Sequence, residues 1–272
     1  MNGYLARAVA YIQENGDELE RGRLAGLLGR ERPEPKAVRA LLTRQNEDGG
    51  FPYQMVPGRP SAVTSTAAAL QWLHDLRLAG TSQVERAGAY LLTVQRPDGT
   101  WEESPALIKY DPPPLARPGH AAGRTYCTAL GAYWLARLLG VRHDSVQRAA
   151  QALRAWRDGG RPEDEPLQVA VLAAVVMAMI EGPGSAAAGL EALERVNPEA
   201  WTADRLVELL GGLHTAGFAA EDPLVAPAIR RLLGLQREDG GWTSEQGADR
   251  EVDLSLRALG VLLAYGVPSG SG

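Results

Sequence analysis

The chain has 272 residues, of which 45% are apolar and 22% charged, with a formal net charge of −5; that supports a buried core and lacks the clustered positive field that nucleic-acid phosphates demand. A single cysteine, Cys127, excludes an internal disulfide and a cysteine-based zinc cluster. The first residues lack the basic-then-apolar layout of a leader, and the greasiest run, Val169 to Ile180, is too short for a bilayer, so a cytoplasmic protein without a transmembrane segment is expected, contact with a membrane surface staying open.

In chain order the apolar spacing predicts helices that alternate between two kinds. Amphipathic outer helices are expected at 4–14, 34–45, 82–95, 144–156, 185–195 and 223–236. Between them, at 17–29, 61–79, 121–139, 164–180, 202–216 and 250–265, come inner helices richer in Ala, Gly and Leu on all sides, as suits elements buried on two faces. The junctions repeat. Gln45 to Phe51, Gln95 to Trp101 and Gln236 to Trp242 each follow a leucine pair and share the order Gln, Asp-Gly, aromatic. Asp-Gly supplies a left-handed turn, letting the aromatic fold back while the Gln bonds loose backbone groups at the helix end. Weaker copies stand at Trp156-Arg157-Asp158-Gly159, at Trp201 and at Gln13 to Gly16. Six junctions predict six hairpins closed into one all-α domain, residues 1–272, an (α/α)6 barrel.

These Gln…Asp-Gly-x-aromatic junctions resemble the QW motifs of squalene-hopene cyclases, class II diterpene cyclases and protein prenyltransferase β-subunits, along essentially the whole chain. The resemblance implies a toroid whose central pocket holds an isoprenoid. The junction glutamines and aromatics themselves are expected to staple neighbouring hairpins. Class II cyclases start an inner helix with Asp-x-Asp-Asp-Thr, whose middle acid protonates an alkene or epoxide. Laid on that frame, Ala62-Val63-Thr64-Ser65-Thr66 and Arg124-Thr125-Tyr126-Cys127-Thr128 carry no acid, while Glu251-Val252-Asp253-Leu254-Ser255 keeps two. Asp253 is therefore the candidate general acid, with Glu251 or Arg250 its modulator; the alternative is that Asp249, Glu251 and Asp253 dress a helix N-terminus.

Arg124, with Tyr126 and Cys127, resembles a prenyltransferase helix start, where Arg124 would hold a diphosphate or carboxylate, the alternative being an interior ion-pair partner. Tyr53, Trp72, Trp134 and Thr64 complete the candidate substrate-binding set, since ring faces stabilise carbocations. The prenyltransferase zinc set is reduced to Asp253-Leu254-Ser255, so no metal site and no cofactor are expected, with Mg2+ entering only for a diphosphate substrate. The long proline-rich loop 102–120 is a candidate lid, the alternative being a rigid surface insertion. The expected function is acid-initiated cyclisation of an isoprenoid-like small molecule. The alternatives are a non-catalytic toroid binding a lipid or peptide, and a zinc-free relative of prenyltransferase β-subunits.

Overall fold

A computed structural model describes residues 3–29, 35–159, 166–182 and 201–267. Its helices are α1 (Tyr4–Asn15), α2 (Glu18–Leu27), α3 (Pro35–Leu42), α4 (Val63–Asp75), α5 (Ser82–Thr93), α6 (Ala121–Leu139), α7 (Asp144–Asp158), α8 (Leu167–Glu181), α9 (Ala203–Thr215), α10 (Val225–Gly234) and α11 (Glu251–Ala264). The fifth outer helix expected at 185–195 lies outside the described residues. The second inner helix starts later than its spacing suggests, because Ser61 and Ala62 pair antiparallel with Phe51 and Pro52 as a two-residue ladder. The stretch 102–120, expected as a loop, carries 3-10 turns at Pro105–Tyr110 and Pro114–Ala116.

The chain forms two compact units, residues 1–38 with 190–272, and residues 39–189. In the second unit α6 is the hub, packed against α4, α5, α7 and α8. Its small side chains Ala122, Ala129, Ala132 and Ala136 are buried and let neighbours approach closely. Every described side chain of α8 from Val169 to Ala178 is buried except Leu172, as its unbroken apolar run predicts. In the first unit α11 packs against α1, α2 and α9, and α10 packs against α9.

The three well-formed junctions have one geometry. Gln45 Nε2 donates to its own turn at Gly49 O (2.7 Å) and to the next outer helix at Gln83 O (2.9 Å). Gln95 does the same to Gly99 O and Ser145 O. Gln236 reaches Gly240 O and Tyr4 O, so the last junction grips α1 as the earlier ones grip α5 and α7. Each Asp-Gly glycine has positive φ, and a Cβ there would stand 2.3–2.5 Å from the carbonyl oxygen of Arg86, Arg148 or Arg7. Only glycine meets both demands. The aromatics are fully buried: Trp101 Nε1 donates to Leu91 O and Trp242 Nε1 to Leu232 O. Their backbone N–H groups, like that of Phe51, donate to a helix hydroxyl, Thr66 for Phe51, Thr128 for Trp101 and Ser255 for Trp242. The final place of the five-residue frame is thus structural in all three helices.

Candidate functional site

In the first unit, charged side chains gather on α2, α9 and α11. Asp253, in the first turn of α11, accepts from Arg23 Nη1 of α2 at 2.6 Å. Arg23 is only 1% exposed, whereas Asp253 keeps 23% of its side chain accessible. One turn further along α11, Arg257 Nη2 approaches Glu208 Oε1 of α9 at 3.8 Å. Burial opposes ionisation of Asp253, but Arg23, Arg257 and Arg250 outweigh it and hold the carboxyl below its ordinary value. Glu208 behaves oppositely: burial pushes its carboxyl up, Arg257 compensating only in part. Two carboxyls one Arg apart are therefore driven in opposite directions, the pattern that divides acid from anion in enzyme sites.

The neighbouring carboxylates have structural duties. Asp204, at the start of α9, accepts from Ser244 Oγ at 3.1 Å and from the Glu245 N–H at 2.9 Å. Glu251 accepts from Arg237 Nη1 at 2.6 Å and from Tyr11 Oη at 3.4 Å, tying α11 to its junction and to α1. That bond network accounts for Glu251 without a modulating role toward Asp253. The neutral acid expected at Asp253 is likewise at odds with its ion pair, because Arg23 stabilises the carboxylate.

In the second unit the corresponding frame positions surround Glu103, a residue that belongs to no motif legible in the chain. Only 3% exposed, it accepts from the Val63 N–H (2.8 Å), the Thr64 N–H (2.9 Å) and Thr64 Oγ1 (2.5 Å), capping α4. Burial raises its carboxyl against those three donors. Glu103 lies two residues beyond Trp101, as Ser244 lies two beyond Trp242, so this register recurs with acid and hydroxyl exchanged. Thr64 is thereby a capping partner.

Arg124 lies in the first turn of α6, 41% exposed, with Nη2 3.6 Å from Glu102 Oε2. Tyr126 beside it is half-buried, and Cys127 is fully buried with its thiol pushed well up by burial, the wrong state for a metal ligand. Trp72 is half-buried on α4. Trp134 is buried, edge-on to Tyr133 at 5.3 Å, with the Arg137 guanidinium 5.5 Å from its ring. Tyr53 is buried in a small cluster with Ala62, Leu107 and Ala116, its ring 6.1 Å from Tyr110. The 102–120 stretch is thereby packed down through Leu107 and Ala116, while Ile108 stands 60% exposed. Of the candidate set, Asp253 and Glu251 belong to the first unit and the other seven to the second. Among the described residues no group of three His, Cys, Asp or Glu side chains is placed to hold a metal ion, and no helix is long and apolar enough to cross a membrane.

No family model matches the sequence, and no curated protein matches it. Solved structures do. The type II terpene cyclase MstE from Scytonema, in complex with geranylgeranyl dihydroxybenzoate as substrate, is similar with a TM-score of 0.64 at 16% identity, 96% of each chain being covered. The same cyclase with its product, merosterolic acid A, is similar with a TM-score of 0.57 at 17% identity, over 96% of this chain and 95% of that one. A protein from Actinoplanes gives 0.62 at 17% identity, over 97% of this chain and 99% of that one. The fold is therefore the all-α toroid type of the terpene cyclases.

Proposed function

We propose that this chain, acting as a single cytoplasmic domain over residues 1–272, is a terpene-cyclase-like enzyme that folds an isoprenoid substrate and cyclises it by protonation, an isomerase-type reaction. The observation that carries the reading is the pair of partly accessible carboxyls, Asp253 and Glu208, beside Arg257, the first held below its ordinary value and the second pushed above it. An alkene is a very poor base, so its protonation needs an acid kept neutral by burial and a nearby anion to balance the cation formed. The QW-like junctions supply the rigid frame. A geranylgeranyl chain on an aromatic acid, the substrate of the Scytonema cyclase, is the substrate class to test first. Within the second unit Arg124, Tyr126, Trp72 and Trp134 are proposed as substrate contacts, and within the first Asp253 is proposed as the carboxylate that balances a cation. Such a reaction consumes no cofactor, and Mg2+ belongs to it only with a diphosphate substrate.

The Arg23–Asp253 ion pair also favours a second reading, a toroid that binds a lipid-like guest without turning it over. Incubation of the purified chain with geranylgeranyl dihydroxybenzoate and with geranylgeranyl diphosphate, followed by mass spectrometry, separates the two. The cyclase reading expects a cyclised isomer of the substrate; quenching of tryptophan fluorescence by the substrate with no new product supports the binding reading instead.

A further inference from the structure

We infer that Glu208 is the group that delivers the initiating proton, an assignment that rests on the cyclase reading above. Four carboxylates stand on α9 and α11: Asp204, Glu208, Glu251 and Asp253. Three of them already accept close hydrogen bonds, Asp204 from Ser244 and Glu245, Glu251 from Arg237, and Asp253 from Arg23. Among the described residues no donor reaches Glu208, and its ion-pair contact, Arg257 at 3.8 Å, lies beyond hydrogen-bond distance. Glu208 interrupts the apolar run Leu206-Val207-Glu208-Leu209-Leu210, whose leucines and valine are buried, and yet keeps 29% of its own side chain accessible. Glu208 is thus a carboxyl set among buried apolar neighbours that remains partly accessible and accepts no hydrogen bond from a described residue.

The charged groups around it reinforce the assignment. Burial pushes the Glu208 carboxyl above its ordinary value, Asp204 of α9 and Glu245 of the adjoining loop add to that, and Arg257 of α11 and Arg205 of α9 offset it only in part. In the step itself the Glu208 O–H bond breaks and its proton adds to one carbon of the terminal double bond of the substrate. The π pair becomes the new C–H bond, and the adjacent carbon is left as a tertiary cation. The next double bond gives its π pair to that cation and closes a ring. A proton lost to water at the end of the cascade makes the overall change an isomerisation, and water returns a proton to Glu208. Arg257 is placed to steady the Glu208 carboxylate in between.

The test uses the full chain and geranylgeranyl dihydroxybenzoate. Glu208→Gln should lower turnover by about 100-fold or more while the substrate still quenches tryptophan fluorescence with nearly unchanged affinity. Wild-type turnover should fall as pH rises through the Glu208 carboxyl, and Glu208→Asp should recover part of the activity. A carboxylic-acid carbonyl band in the infrared spectrum at neutral pH, lost in Glu208→Gln, reads the protonation state without substrate. Wild-type activity with an equally active Glu208→Gln overturns the Glu208 assignment and leaves the cyclase reading standing. A wild-type chain that forms no cyclised product overturns both.

Discussion

Gly131 offers a prediction whose sign depends on the junction packing being right. It lies in α6 beneath the Trp101 indole, and a Cβ there would stand 2.7, 2.9 and 3.0 Å from Cδ2, Cε2 and Cε3 of the ring. Carbon atoms prefer about 3.5–4.0 Å, so ring or helix must shift by nearly an ångström. The ring has little freedom to yield: Trp101 is fully buried, Nε1 donates to Leu91 O at 2.7 Å, and its backbone N–H donates to Thr128 Oγ1 at 3.1 Å. Overpacking costs about 1–3 kcal/mol, and loosening the indole bond adds about 1 kcal/mol. Replacing a helical glycine by alanine returns about 1 kcal/mol, leaving Gly131→Ala destabilised by about 1–3 kcal/mol. Gly211 of α9 is the control, because its Cβ would sit 3.6 Å from Val261 Cγ2, an ordinary contact. Gly211→Ala should therefore be stabilised by about 0.5–1 kcal/mol. Thermal and urea unfolding followed by circular dichroism compares the two, and a Gly131→Ala protein at least as stable as Gly211→Ala refutes the packing argument.

Removing Asp253 leaves the Arg23 cation in a site with 1% exposure, so Asp253→Ala should cost about 3–5 kcal/mol, and Arg23→Met with Asp253→Leu should recover much of it in denaturant melts. Because the Asp253 carboxyl is held below its ordinary value, its contribution is present above the unfolded-state pKa and is lost as pH falls through the lower folded value; the acid limb of the Tm-versus-pH curve should flatten in that double variant. Glu208 has the reverse sign: its raised carboxyl disfavours the folded state as pH rises above the unfolded value, so Glu208→Gln should melt higher than wild type at neutral pH and not in acid. Gln95→Ala removes one bond to its own turn at Gly99 O and one to Ser145 O of α7 and should cost about 1–3 kcal/mol in the same melts. Cys127, fully buried with its thiol pushed up, should react with a thiol reagent only on unfolding.

Much of the fold was legible because its signals are local. The Asp-Gly turns, the Gln four residues before each turn glycine and the all-round apolar character of α8 lie within a dozen residues of what they specify. The second inner helix was placed two residues early because the Phe51–Ala62 pairing is a contact between segments, not a propensity of either. The candidate site was less legible for the same reason. Asp253 stands at the right place in its frame, but its charge state is set by Arg23, 230 positions away. Glu103 answers to Val63, 40 positions back. Glu208 did leave a trace, a lone acid inside an otherwise buried apolar run, though reading it requires knowing that Arg257 of α11 stands 3.8 Å from its carboxyl.

The central claim is that a carboxyl of this chain protonates an isoprenoid double bond, and turnover in D2O tests it most directly. Mass spectrometry of the product formed from geranylgeranyl dihydroxybenzoate should find one solvent deuterium fixed on carbon in each cyclised molecule. A product free of deuterium, or recovery of the substrate alone, would contradict the account.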